Sequence, residues 1–306
     1  MTMALIARLV LSGCLGGCLN LVAAPPAIRV SEALKAWQEA IEKVGRSKVI
    51  VVPVITDRQR NEISLPPDTP QRAVLRRYFT DASFLAQFAQ AQAMTINYAG
   101  PEGRFHFVLV NTVRSPEWEG YEEAFLAFEF GHAWLHTLGY TSPAYQGGAD
   151  ACAAVEAGNI VQSLLIRRDL ADRRIAYGDF WIRNLEAALK QLESQAVQPE
   201  RSIPYCQRVS QLALWLDVRL GLTSKEWKNF DRFDRLFRKR FPLLIPHLRD
   251  LEKKLRAWAP APLELTASSA DLLTLDLSGV KKNVEDYMDL VSYTRRKLAE
   301  VGATAL

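Results

Sequence analysis

The apolar residues of this 306-residue chain change their period part way along it. Before residue 112 they come in short runs rich in β-branched residues. Lys48 to Ile55 reads KVIVVPVI, Thr95 to Ala99 reads TINYA, and Arg104 to Asn111 reads RFHFVLVN. Such runs predict buried strands. The GPEG between the last two is a turn signal that joins them as a hairpin. Pro53 places the first run at an edge or a strand end. Beyond Gly120 the apolar positions recur at helical spacing, over 122–139, 149–169, 179–195, 202–222, 224–241, 243–258 and 279–301. Earlier helices are predicted at Ser31 to Lys43, with Ser31 as N-cap, and at 69–79 and 81–94. Strands first and helices afterwards predict an α+β fold with a largely helical C-terminal half. The expected organisation is a leader over 1–24, an α+β domain over 25–200 and a helical extension over 201–306.

Hydrophobic residues make up 49% and charged residues 24%, the balance of a globular chain with a sizeable core. A net charge of +4 is too small to point to nucleic acid as a partner. The first 24 residues carry one positive charge, Arg8, then an apolar run ending in APP, as a secretory signal peptide does. Within it, Leu11-Ser12-Gly13-Cys14 and Leu15-Gly16-Gly17-Cys18 resemble bacterial lipoprotein processing sites. Cys18 leaves the longer apolar run and is the preferred lipidation site, with Cys14 the alternative. The expected location is therefore the bacterial cell envelope, with a membrane anchor through the N-terminal lipid. Only Cys152 and Cys206 remain beyond the leader. They either pair in an oxidising compartment or pack as free thiols.

The stretch AFLAFEFGHAWLHTLGY, Ala124 to Tyr140, holds two of the four histidines. Its helix ends at Gly139, whose lack of a Cβ suits the position after a helix end. Glu129, His132 and His136 fall at i, i+3 and i+7, within roughly 60° of arc on one face. Ala127, Gly131, Trp134 and Leu138 occupy the opposite arc and would face the core.

EFGHAWLH in this stretch closely resembles the HELGHxxxH-like helix of zincin metallopeptidases. In that family two His from successive turns bind zinc, and the Glu beside the first His is general base to the zinc-bound water. A third ligand, often Glu, comes from a following helix, and the edge of the preceding sheet holds the substrate. Carried over, Glu129 matches the base and His132 the second ligand. Phe128 falls where the first ligand belongs, and Phe cannot bind zinc. In the next helix Cys152, Glu156 and Asn159 share a face, which makes Glu156 the candidate third ligand, with Asp150 a weaker one.

Three readings of this face stand side by side. In the first, the scaffold persists without zinc, and Glu129, His132 and Glu156 form a buried polar cluster. In the second, the metal moves about one turn, roughly 5 to 6 Å, and His132, His136 and Glu156 bind it. In the third, the helix is amphipathic and its histidines have no shared role. The resemblance thus implies a metallopeptidase-like protein, impaired or inactive in hydrolysis. The alternative is a non-catalytic lipoprotein that binds a peptide or protein. The basic, Phe-rich stretch Lys225 to Pro242 reads as a bundle helix or as a membrane-surface contact. SPEWEG, Ser115 to Gly120, reads as a cleft mouth or as a capping loop.

Overall fold

The computed structural model describes residues 28–57, 62–141, 151–258 and 277–303. The leader with Cys14 and Cys18, and Asp150, lie outside the described residues.

The fold is α+β. Helix α1 (Glu32–Gly45) starts at Ser31, whose hydroxyl accepts from the Leu34 N–H. Strands β1 (Lys48–Asp57) and β2 (Glu62–Ser64) follow, then the short helices α2 (Arg72–Tyr78) and α3 (Ala82–Phe88). The hairpin β3 (Ala93–Gly100) and β4 (Gly103–Asn111) turns where GPEG stands. The sheet order is β2-β1-β4-β3, with β1 parallel to β4 and the other two pairs antiparallel. Pro53 lies in the interior strand β1 and not at an edge. It is tolerated because β2 pairs only with Ile55 to Asp57, so Pro53 has a strand neighbour on the β4 side alone.

Both faces of the sheet are covered, which is why β1 and β4 read as continuous apolar runs. Phe105, Phe107 and Leu109 point towards α2 and α3, where they meet Leu75, Phe84 and Phe88. Val108 and Val110 point the other way, into a core shared with α1 and α5. Strand β3 begins at Ala93, so Met94 belongs to the sheet rather than to the preceding helix. The buried Asn111 side-chain amide donates to the carbonyls of Phe88 and Ala91 and so pins the turn that follows α3 to the end of β4.

The rest of the chain is helical: α4 (Ser115–Trp118), α5 (Glu122–Thr137), α6 (Ala151–Asp172), α7 (Tyr177–Ser194), α8 (Tyr205–Gly221), α9 (Phe230–Arg240), α10 (Arg249–Ala257) and α11 (Leu277–Ala303). One hydrophobic cluster runs from Leu34 to Val301 and crosses the 200/201 position without a break. Among the described residues no helix is long and apolar enough to cross a membrane.

Helix α5 corrects the amphipathic expectation. Every residue from Ala124 to Leu135 is buried, Glu129 and His132 included. A helix apolar around its whole circumference has no solvent side, and α5 packs between the sheet, α1, α6 and α7. Gly131 marks the close approach to α6, because a Cβ there would sit 2.6 Å from the Ile166 Cγ2.

Candidate functional site

The three candidate residues of α5 and Glu156 of α6 point at four different neighbourhoods. Glu129 lies over β3, where its Oε2 accepts from the Thr95 hydroxyl at 2.7 Å. His132 meets α6, with its Nδ1 2.9 Å from the Gln162 Oε1. The Gln162 amide donates in turn to the Tyr140 carbonyl at 3.0 Å. His136 sits beside His106 of β4, ring edge to face, with centroids 5.6 Å apart. Glu156 faces α8, where the Ser210 hydroxyl donates to its Oε1.

The proposed ligand set His132, His136 and Glu156 is therefore not brought together. Among the described residues no group of three His, Cys, Asp or Glu is placed to hold a metal ion. The geometric reason is the phase of α6. Gln162, which touches His132, follows Glu156 by six residues, about 120° around the helix and about 9 Å along it. Glu156 thus turns to α8 when Gln162 turns to α5. The residues present do not fit zinc. Phe128 stands where the resemblance would put one ligand, and the group on α6 that meets His132 is a neutral amide.

Phe128 has a positive role in packing. Its ring stacks on Tyr177 of α7 at 4.7 Å and meets His132 edge-on at 5.3 Å. With Glu129 it lines a cavity of about 350 Å³ between the start of β3, α4, α5 and α7. Phe125, Tyr177, Phe180 and Leu185 supply more of its apolar wall, and Ala187 and Ala188 leave the space open.

The rim is polar and, apart from Glu117 of the SPEWEG segment, is built from groups that the sequence pattern does not reveal. Buried Arg114 donates to Glu117 through Nε and Nη2, at 3.0 and 2.7 Å, and to the Gln90 carbonyl at 2.8 Å. The Gln92 amide links Glu117 to Asn184 of α7, at 2.8 and 2.9 Å. Arg183 donates to the carbonyls of Glu119 and Pro116, both at 3.0 Å, and lies over the Tyr121 ring. The SPEWEG segment is therefore clamped onto α7, and its Pro116 and Glu117 line the cavity. Nothing in the sequence sets Gln92, Gln162 or Asn184 apart, since single amides carry no spacing signal.

Burial displaces the titration of His106, His136 and Glu156. His106 is lowered to about 3, first by desolvation and then by the charges of His136 and Arg104. Desolvation and Arg104 lower His136 to about 4. Both imidazoles are neutral near pH 7. His106 is further held by Asn97, 2.6 Å from its Nδ1, and by the Thr137 hydroxyl, 3.2 Å from its Nε2. Burial pushes the Glu156 carboxyl up to about 7. The Ser210 and Asn159 hydrogen bonds oppose that rise, and the Asp217 charge adds to it.

Cys152 of α6 and Cys206 of α8 form a disulfide, with Cα atoms 5.5 Å apart. Glu156 and Ser210 meet four residues further along both helices, so α6 and α8 run side by side in the same sense. Comparison with family models, with curated proteins and with solved structures finds no match to this chain.

Proposed function

We propose that this chain is an exported, non-catalytic binding protein on a zincin-like scaffold, and that its cavity takes a bulky apolar side chain of a peptide. The carrying observation is Phe128. It stands where the resemblance requires a metal ligand, and its ring is part of the cavity wall, stacked on Tyr177. The cavity opens beside the start of β3, the edge strand next to β4. An extended peptide there has backbone groups within reach of a strand and an apolar pocket for one side chain. The disulfide supports export, because such bonds persist in oxidising compartments. A lipid on Cys18, or on Cys14, would then hold the protein at the envelope membrane.

Ala188→Trp tests the reading. Ala188 lines the cavity, and an indole there fills it. Binding to an immobilised library of peptides that vary one bulky apolar residue is expected for the wild type. The variant should bind selected peptides at least about tenfold more weakly, a loss of about 1.4 kcal/mol, with an unchanged Tm. Equal binding by both proteins would remove the cavity from the proposal.

A further inference from the structure

The cavity beside α5 is apolar in most of its wall, yet a carboxylate belongs to that wall. Four rings, those of Phe125, Phe128, Tyr177 and Phe180, line it together with Leu185 and Leu214. Glu129 lines it as well, although only 3% of that residue is exposed. Phe125 and Glu129 stand four residues apart on α5 and so share its face. Thr95 follows the lining residue Ala93 on the same face of β3. The Thr95 hydroxyl donates to the Glu129 Oε2 at 2.7 Å and holds the carboxylate on the sheet side of the cavity.

The donors of the rim are bonded within the protein. Gln92 gives its two amide hydrogens to Glu117 and Asn184. The Asn184 amide donates to the Phe180 carbonyl at 3.1 Å, and Arg183 donates to the carbonyls of Glu119 and Pro116. Gln90 and Gln191 also line the cavity, and an amide donates and accepts alike. The charged groups balance in number, with Arg114 on Glu117 and with Arg183 and Glu129 both in the wall.

A wholly apolar occupant, such as a leucine or phenylalanine side chain, would drive water from the Glu129 carboxylate and bring it no donor. Dehydrating a carboxylate without a hydrogen bond in return is costly. A phenol or an indole avoids that cost. Its ring meets the aromatic wall edge to face, and its O–H or N–H supplies the donor. The balance of charge favours a neutral donor of this kind over an ammonium. We infer that the residue taken up is tyrosine or tryptophan, an aromatic side chain that donates to Glu129, and this rests on the peptide-binding reading proposed above. Glu129 is then the residue that sets specificity.

The test uses a peptide selected on the wild type from the immobilised library. It is remade with tyrosine, phenylalanine, tryptophan, naphthylalanine or lysine at its varied position, and binding is followed by titration calorimetry. These changes lie in the peptide and leave the fold of the protein untouched. Tyrosine should bind at least about tenfold more tightly than phenylalanine, and tryptophan than naphthylalanine. In Glu129→Leu both ratios should fall to about one, whereas Glu129→Gln, which keeps an acceptor oxygen, should retain part of them. Equal binding of tyrosine and phenylalanine by the wild type would overturn the inference, and the cavity reading would still stand if Ala188→Trp weakens both. Tightest binding by lysine would overturn it in favour of a cation. A preference that survives in Glu129→Leu would remove Glu129 from the role. A wild type that binds no peptide would overturn the peptide-binding reading and the specificity with it.

Discussion

Phe128, His132 and Gln162 decide what the α5 site can do. His132, which the zincin resemblance would make a ligand, is present, but Phe128 stands where that resemblance expects another, and the group of α6 that meets His132 is the Gln162 amide. Zinc affinity is therefore expected from Phe128→His combined with Gln162→Glu, measured as metal per chain after dialysis. The wild type should retain none, and the double variant should retain about one equivalent. Failure of the double variant would count against the zincin-like geometry. Glu156 makes a separate prediction. Its folded value of about 7 lies above the usual 4.5, so its ionisation opposes folding. Stability from this group is full below pH 4.5 and is lost as pH rises through 7. Glu156→Gln should stabilise the protein above pH 7 by up to about 3 kcal/mol and change little below pH 4.5. His106 and His136 act in the opposite sense, because their folded values lie below 6.5. Their contribution is full above pH 6.5 and is lost as pH falls towards 4 and 3. Urea titrations of wild type and Glu156→Gln across this range separate the two trends.

Helix α5 is the element on which the site depends, and its sequence carries two signals of unequal strength. The motif spacing puts Glu129, His132 and His136 on one arc, which the helix retains. Its apolar content, spread around the whole circumference, is the stronger signal and predicts full burial. The contact of α5 with α6 through Gly131 gives a test at this scale. Gly131→Ala gains about 1 kcal/mol of helix propensity but brings a methyl within 2.6 Å of Ile166. Overpacking of that kind costs about 1–3 kcal/mol. A net loss of about 1 kcal/mol is expected by chemical denaturation, and a gain would mean that α6 yields easily. The strands were legible for a simple reason: both sheet faces are covered, so the apolar runs are unbroken. The end of α3 and the start of β3 were not legible. There Asn111, about twenty residues later in the chain, bonds to the carbonyls of the turn between the two elements.

For the whole molecule, one core joins the sheet to the C-terminal helices, and the Cys152–Cys206 bond braces α6 against α8. The bond spans 54 residues, for which loop-closure entropy gives about 4 kcal/mol. Cys152→Ser with Cys206→Ser should lower stability by up to that amount, and reductant should do the same to the wild type but not to the variant. Because the core is continuous, the loss should appear as one cooperative transition in calorimetry. A variant that melts in two steps would show that the helical part folds by itself.

The sequence alone determined the α+β order, the hairpin, the helix that carries the motif and the replacement of a metal ligand by Phe128. Each of these is written in local period or residue chemistry. Only the tertiary structure decided that Gln162 and not Glu156 meets His132, because that choice turns on a rotation of about 120° about α6. The same holds for the partners that Arg114, Gln92 and Asn184 find in the rim. Those partners come from segments far apart in the chain, and no local pattern encodes which of them meet.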